Sequence, residues 1–242
     1  MPQNIFDARI ASQYDQQCAD MFEPAALDPA VAFLAERAAG GPALEFAVGT
    51  GRIALPLSRR GVAVHGIDIS EAMVARLRAK PGSDAIDVTI GDVAATQVPG
   101  AFRLVYLVFN TIMNLLTQEE QVACFENAAS HLEPGGRFVI EVGVPDLQRL
   151  PRGETFQPFS VTATHLGFDE YDVATQYLAS HHYWVDGERV QVDVYPCRYV
   201  WPSELDLMAR IAGMTLRERW AGWNREPFTS RSTSHISVWE KA

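Results

Sequence analysis

The first 143 residues alternate between short apolar runs and longer segments whose apolar residues recur at helical spacing. Apolar runs of this length predict buried strands, and the periodic segments predict helices. Strands are predicted at 44–48, 62–67, 86–90, 102–109 and 137–142, and helices at 27–39, 52–60, 71–80 and 117–131. Strands and helices that alternate with short connections predict an α/β fold with a mainly parallel, doubly wound sheet.

The remaining segments have other patterns. Residues 5–22 are helical, and 1–26 are expected to form a lid. After Pro145, strands are predicted at 160–168, 170–175, 176–185 and 189–201, with Asp186-Gly187 as a hairpin turn, so 144–201 reads as an antiparallel β insertion. A helix ending at Gly213 and strands at 214–222 and 235–240 complete 202–242. We expect one domain with a cofactor-binding core at 27–143.

Polar residues mark the start of three predicted helices. Ser70 is expected to cap helix 71–80. Thr117 with Glu120, and Ser203 with Asp206, fit the capping-box spacing.

A glycine loop joins the first strand of the core to its helix. Gly49 and Gly51 allow a sharp turn and a close backbone approach to a ligand, at a helix N-terminus that suits an anionic group. Glu45 points to a different ligand, because a carboxylate there repels a pyrophosphate and attracts an ammonium or sulfonium. Gly49, Gly51 and Ala54 also fit the loose dinucleotide pattern, with Asp68 near the spacing of a ribose-binding acid. A nicotinamide or flavin oxidoreductase therefore remains open on this evidence.

Polar residues follow most strands of the predicted sheet. Glu45, Asp68, Asp92, Asn110 and Glu141 all fall near carboxyl ends. Ligands of open α/β sheets bind outside those ends, so these side chains are expected to surround the site.

The amino-acid composition limits the classes of molecule that the protein is expected to bind. The chain has 242 residues, 48% of them hydrophobic, and 30 acidic against 20 basic side chains, which argues against a nucleic-acid partner. No signal peptide or membrane-spanning run is recognisable, and the scattered Cys18, Cys124 and Cys197 fit reduced thiols without a metal site. We expect a cytoplasmic protein that acts on a small molecule; a homodimer is compatible with the sequence.

Three features go beyond the dinucleotide pattern: Glu45 before the loop, Gly91-Asp92 after the third strand, and Pro134-Gly135-Gly136 before the fifth. Together with the order of elements, they resemble the class I S-adenosylmethionine-dependent methyltransferases over residues 27–143 and the closing helix and strand pair. The resemblance implies a seven-stranded Rossmann-like sheet with S-adenosylmethionine as cofactor. The chain departs from the family pattern at Ala47, where the first loop glycine would stand.

The resemblance also implies roles for individual residues. Glu45 and the loop would hold the methionine part of the cofactor, Asp68 the ribose hydroxyls, and Asp92 the adenine amino group. The full set of implied cofactor residues is Tyr14, Glu45, Ala47, Gly49, Thr50, Gly51, Asp68, Ile69, Met73, Asp92, Val93, Phe109 and Asn110.

The sequence defines the residues that would bind the methyl acceptor less clearly than those that would bind the cofactor. The β insertion resembles that of methyltransferases acting on small molecules, including sugar amine and glycine-type N-methyltransferases, so in-line transfer to a nitrogen or oxygen is expected. His181 or His182 is the candidate base, and only one can face a given side of a strand. Candidate substrate residues are Asn114, Tyr183, Trp184, Arg198, Trp201, Trp223 and Arg225. For Arg198 a structural role at a strand edge is the alternative. A cofactor-binding protein without turnover is a further alternative.

Overall fold

The computed structural model describes residues 5–242. The strands are β1 (Ala43–Phe46), β2 (Val64–Asp68), β3 (Ile86–Ile90), β4 (Phe102–Leu107), β5 (Leu132–Gly143), β6 (Phe156–Val161), β7 (His165–Asp172), β8 (Tyr177–Asp186), β9 (Arg189–Arg198), β10 (Met214–Trp220) and β11 (Ser234–Lys241). The α-helices are α1 (Ala8–Gln17), α2 (Pro24–Ala38), α3 (Ala54–Arg59), α4 (Glu71–Arg78), α5 (Gln118–His131) and α6 (Pro202–Ile211).

Seven strands form the larger sheet, in the order β10-β11-β5-β4-β1-β2-β3. The five strands from β5 to β3 are parallel, and β11 runs antiparallel to both of its neighbours. This arrangement confirms the predicted mainly parallel, seven-stranded sheet.

The central strands are buried on both faces, which explains their continuous apolar runs. Along β4, Val105 and Leu107 pack into the core shared with α5 and α6, whereas Leu104 and Tyr106 pack on the opposite side with α2 and α3. Helices therefore cover both faces, and the carboxyl ends of the strands are left as the open edge of the sheet.

Two strands of the core end earlier than predicted. The first ends at Phe46 because Ala47 adopts a left-handed conformation with φ of 55°, and the fourth ends at Leu107 before Phe109 and Asn110, with φ of 62° and 60°. Such angles are uncommon for residues other than glycine and concentrate at functional sites. Both departures lie at the edge where ligands of this sheet class bind.

The helix starts test the capping predictions. Ser70 accepts a hydrogen bond from the backbone N of Met73, and Thr117 with Glu120 forms the predicted capping box. The prediction for Ser203 and Asp206 is wrong, because α6 begins at Pro202, with Trp201 as the residue before it. Proline suits the first helical turn, where its missing N–H removes no helical bond.

The N-terminal helix is shorter than the predicted 5–22. The helix α1 ends at Gln17, and a short 3-10 helix, Ala19–Phe22, follows. Residues 1–4 of the expected lid at 1–26 lie outside the described residues.

The smaller sheet is antiparallel, in the order β6-β7-β8-β9. The predicted hairpin between the last two strands is confirmed, but its turn is Gly187-Glu188 instead of Asp186-Gly187, because Asp186 still pairs with Arg189. The boundaries of the first two predicted strands are wrong. The Thr162 hydroxyl accepts a bond from the backbone N of His165 and turns the chain between β6 and β7. The Asp172 carboxylate does the same for the backbone of Ala174 and the hydroxyl of Thr175 between β7 and β8. These side-chain turns replace the glycine and proline turns that are easier to recognise.

Within residues 5–242, no helix is long and apolar enough to cross a membrane. The same part of the chain contains no group of three or more histidine, cysteine, aspartate or glutamate side chains that is able to hold a metal ion.

Candidate active site

A cleft of about 860 Å³, open to solvent, lies over the carboxyl ends of β1, β2 and β3. We call it the cofactor cleft. It brings together most of the residues that the resemblance implied: its walls include Tyr14, Ala47, Gly49, Asp68, Ile69, Met73, Asp92 and Val93.

The Asp68 carboxylate connects β2 to the glycine loop. Its Oδ2 accepts a bond of 2.6 Å from the backbone N of Gly49, and its Oδ1 accepts one of 2.8 Å from Ser70. Burial raises the pKa of Asp68, whereas these two bonds oppose that rise. A carboxylate has about four acceptor sites, so Asp68 retains capacity for the two hydroxyls of a ribose while it holds the loop.

The glycine loop depends on left-handed backbone at three positions. Gly49 and Gly51 have φ of 54° and 79°, and a Cβ on Gly51 would lie 3.0 Å from the side chain of Leu77. Gly51 therefore sits behind the loop rather than in a cleft wall. Ala47 is also left-handed, with φ of 55°, at a cost of about 1 kcal/mol or more because it is not a glycine. The loop therefore contains one left-handed position that no glycine marks.

Glu45 lies at the inner end of the loop, beside a recess of about 340 Å³ that also contacts Thr50, Arg52 and Phe109. The side chain is buried, and its Oε2 accepts a bond of 2.9 Å from the hydroxyl of Tyr106. Burial raises the pKa of Glu45 to about 8, against the opposing effects of Tyr106 and the Arg52 charge. No ion pair of Glu45 occurs among the described residues. A ligand ammonium placed beside Glu45 would favour its ionised form.

We predict that cofactor binding is linked to ionisation of Glu45. The free protein holds a proton on Glu45 below pH 8, and an ammonium favours the carboxylate, so binding releases that proton. The affinity for S-adenosylhomocysteine should therefore fall as the pH is lowered from 8 to 6, by up to about tenfold per pH unit. Calorimetry in buffers of different ionisation enthalpy measures the proton release. Glu45→Gln should abolish it, and equal affinity at pH 6 and 8 in the unmodified protein would contradict the linkage.

The opposite end of the cofactor cleft is mainly apolar. Ile69, Met73 and Val93 form its walls, and Asp92 lies at its rim. The Asp92 Oδ1 accepts a bond of 2.9 Å from the backbone N of Ala94, which fixes the carboxylate in a turn. A flat ring with an exocyclic amino group fits between such walls, so the residues present suit the adenine of S-adenosylmethionine.

The helix α1 lies across the cofactor cleft. Asp15 accepts a bond of 2.6 Å from the hydroxyl of Thr50 in the glycine loop, and its other oxygen pairs with Lys80 at 2.5 Å. Near its other end, Arg9 pairs with the buried Asp193 of β9 at 2.7 Å. Sequence reasoning named Tyr14 in this helix but missed Asp15, because its partners are distant along the chain.

A second cleft of about 1160 Å³ lies between the cofactor cleft and the smaller sheet. We call it the acceptor cleft. Both clefts share Phe6, Tyr14, Thr111 and Asn114, so they are continuous. Its other walls include the predicted Phe109 and Asn110 and several residues that sequence reasoning missed: Asp146, Asp169, Tyr171, Tyr195, Cys197 and Tyr199.

The two candidate bases lie outside the walls of both clefts. His181 is on the opposite face of β8 from the cleft residue Ser180, where it contacts Glu170 and stacks on Phe168. His182 shares the face of Ser180 but lies farther along the strand, 3.1 Å from the ring of His165. Burial, with the charge of His165, lowers the pKa of His182. A base role for either histidine stays a prediction.

Most of the predicted substrate residues also lie elsewhere. Arg198 is buried between β9, α5 and α6, with Gln121, Gln176 and Glu204 as partners. Tyr183 stacks with Phe168, Trp184 stacks on His165, Trp201 precedes α6 and Arg225 pairs with Glu36.

Trp223 does not line the acceptor cleft but is connected through Glu141 to the backbone of Phe109, which does. Its indole N–H donates to Glu141 Oε1 at 2.9 Å, and Glu141 Oε2 accepts the backbone N of Phe109 at 3.0 Å. Asn110 accepts a bond from the backbone N of Gly143 at 2.7 Å. These contacts fix the left-handed turn at Phe109 and Asn110.

Comparisons with known proteins found several chains that are similar to this one in sequence or in fold. A family model described as a methyltransferase domain matches residues 43–136. The chain is similar to the solved CcbJ methyltransferase from Streptomyces caelestis, with 38% identity, coverage of 96% of each chain and a TM-score of 0.86. It is 28% identical over 211 residues, 84% of either chain, to a cypemycin N-terminal methyltransferase from a Streptomyces species. The S-adenosylmethionine-bound CalS10, an amino pentose methyltransferase from Micromonospora echinaspora, shares the fold, with 20% identity, full coverage of both chains and a TM-score of 0.73.

Proposed function

Because the chain belongs to the S-adenosylmethionine-dependent methyltransferases, we propose that it transfers the methyl group to an amine nitrogen of a small molecule. Family membership decides against the nicotinamide or flavin oxidoreductase that the glycine loop alone left open. The observation that carries the proposal is the continuity of the two clefts through Tyr14 and Asn114. A donor in the first cleft faces an acceptor in the second.

The proposed cofactor pose follows the charges of the site. Glu45 and the recess beside it receive the ammonium of the methionine part, and Asp68 receives the ribose hydroxyls. The adenine lies between Ile69, Met73 and Val93, with Asp92 near its amino group. This pose directs the sulfonium towards the shared wall of the clefts.

Bound S-adenosylmethionine supplies an activated methyl group, whose transfer forms a bond to the acceptor nitrogen and breaks the carbon–sulfur bond with its electron pair left on sulfur. The work of this chain is to align the nitrogen with that bond and to exclude water. Such positioning contributes up to about 7–11 kcal/mol in well-oriented reactions. We propose that α1 acts as the lid, since Asp15 and Arg9 tie it to the glycine loop and to β9.

Nitrogen is favoured over oxygen by the chemistry of the acceptor cleft. A neutral amine has a free electron pair and attacks without help, whereas a hydroxyl needs a base as it reacts. Neither candidate histidine lies in the wall of that cleft, and the carboxylates that do, Asp146 and Asp169, have the charge that suits an amine in its cationic form. The relative that methylates the N-terminus of cypemycin, according to its name, supports the same choice.

The test is methyl transfer to a panel of amino sugars, peptides with free N-termini and alkylamines, beside the corresponding alcohols. We expect mass spectrometry to show addition of one or more methyl groups to amines, with formation of S-adenosylhomocysteine. Transfer to alcohols alone would contradict the proposal that the acceptor atom is nitrogen and would assign oxygen in its place. Cofactor binding without transfer to any acceptor would favour the binding protein without turnover.

A further inference from the structure

The acceptor cleft has an acidic wall. Among the described residues that line it, Asp146 and Asp169 are the carboxylic acids, and no lysine, arginine or histidine is present. Asp146 lies 3.6 Å from the guanidinium of Arg149, so its charge is partly compensated. Asp169 takes part in no ion pair within residues 5–242. No cationic side chain of the described residues therefore pairs directly with Asp169, and a ligand ammonium in the cleft would be able to do so.

The smaller sheet holds Asp169 in a fixed position. Asp169 on β7 is opposite Ser180 on β8, which in turn is opposite Tyr195 on β9, so these three side chains share one face. Burial raises the pKa of the Asp169 carboxyl group, and the neighbouring hydroxyls of Ser180 and Tyr171 oppose that rise. Carboxylates placed in this way bind a cation without further rearrangement.

Three tyrosine rings line the same cleft as this carboxylate. The rings of Tyr171 and Tyr199 are 5.8 Å apart and inclined by 59°, and Tyr195 forms another part of the wall. Aromatic faces attract a ligand cation and pack against its apolar body. The cleft thus combines one uncompensated carboxylate with aromatic walls, which is the chemistry that recognises an organic ammonium.

We propose that the acceptor cleft selects molecules that carry a positively charged ammonium, and that Asp169 is the specificity-determining residue that binds this group. The proposal rests on the proposed function, because it assigns a charge to the amine that is methylated. Asp169 binds the protonated amine, and before the methyl group is transferred the same nitrogen releases one proton to bulk solvent, which frees its electron pair. Acceptors with a carboxylate or phosphate beside the amine would be disfavoured by Asp146 and Asp169.

The first experiment compares cyclohexylammonium with cyclohexanol, which differ mainly in charge. Both are titrated at pH 7 into the full chain saturated with S-adenosylhomocysteine, with ligand-observed NMR as the readout. We expect cyclohexylammonium to bind at least about tenfold more tightly, the scale of a charged hydrogen bond. Equal affinity for the two probes would overturn the proposal.

The second experiment uses Asp169→Asn, which keeps the shape of the side chain and removes its charge. Its affinity for cyclohexylammonium should fall by at least about tenfold while cyclohexanol is unaffected. The control is Asp186→Asn, at the exposed end of β8, which should bind both probes as the unmodified protein does. Unchanged cyclohexylammonium affinity in Asp169→Asn would contradict the proposal.

Two further measurements, of S-adenosylhomocysteine binding and of methyl transfer, separate failure of this proposal from misfolding and from failure of the proposed function. Retained binding of S-adenosylhomocysteine shows that Asp169→Asn is folded; if it is lost, the probe comparison in the unmodified protein decides. Selective cyclohexylammonium binding without transfer to any amine would support the charge selection and reject the proposed function. Methylation of amines together with equal binding of the two probes would support the proposed function and reject the charge selection.

Discussion

Replacing Asp68 by alanine should weaken binding of S-adenosylhomocysteine by at least about 100-fold, because a buried charged hydrogen bond contributes about 1.5–3 kcal/mol and Asp68 is proposed to accept two from the ribose. The substitution also leaves the backbone N–H groups of Gly49 and Ser70 without their acceptor. Loss of these bonds loosens the glycine loop, so the methionine end of the cofactor is affected as well. Isothermal titration calorimetry measures the change.

A matched control separates this effect from a general loss of charge. Asp87 is an exposed aspartate on the neighbouring strand β3, near the end of the sheet opposite the cofactor cleft. Asp87→Ala should leave the dissociation constant unchanged. A folded Asp68→Ala protein with unmodified affinity would remove Asp68 from the ribose site.

Replacing Arg198 by alanine should lower the free energy of unfolding by about 3–5 kcal/mol, the cost of breaking a buried ion pair. The guanidinium donates to Glu204 at 2.7 Å, to Gln121 at 2.5 Å and to Gln176 at 3.1 Å. These bonds tie the last residue of β9 to α5 and α6. Their loss leaves the partly buried Glu204 carboxylate without its cationic partner and the side-chain oxygens of Gln121 and Gln176 without a donor. Urea unfolding followed by circular dichroism measures the loss.

Arg217 provides the comparison. It pairs with Glu240 at 3.0 Å and is largely exposed, so Arg217→Ala should change stability by less than about 1 kcal/mol. If Arg198 bound the acceptor instead, Arg198→Ala would weaken acceptor binding with little loss of stability. That outcome would contradict the structural role.

The cofactor half was predictable because its information is local. Each central strand is a continuous apolar run, and the polar residue after it, such as Asp68 or Asp92, is placed at the carboxyl edge by the rules of parallel sheets. The strand ends were less predictable. Ala47 and Asn110 adopt left-handed conformations that no glycine marks, and the contacts that hold Asn110 come from residues far along the chain.

The acceptor half shows why small errors in strand boundaries matter. The predicted break between 168 and 170 placed Asp169 outside a strand, which hid the face that it shares with Tyr171 and Ser180. The actual turns use side chains of Thr162 and Asp172, which the sequence does not distinguish from strand residues. The sequence left two roles open for Arg198, because the alternation of residues along a strand shows which face of the sheet a side chain lies on but not which element packs against that face. Its partners lie on α5, on α6 and in the turn after β7.

A crystal structure with S-adenosylhomocysteine bound is the most direct test of the central claim, that carboxylates at the strand ends hold the cofactor around the glycine loop. We expect the ribose hydroxyls within hydrogen-bond distance of Asp68, the ammonium beside Glu45 and the sulfur facing the acceptor cleft. A ligand bound elsewhere, or one whose adenine occupies the recess beside Glu45, would contradict the account.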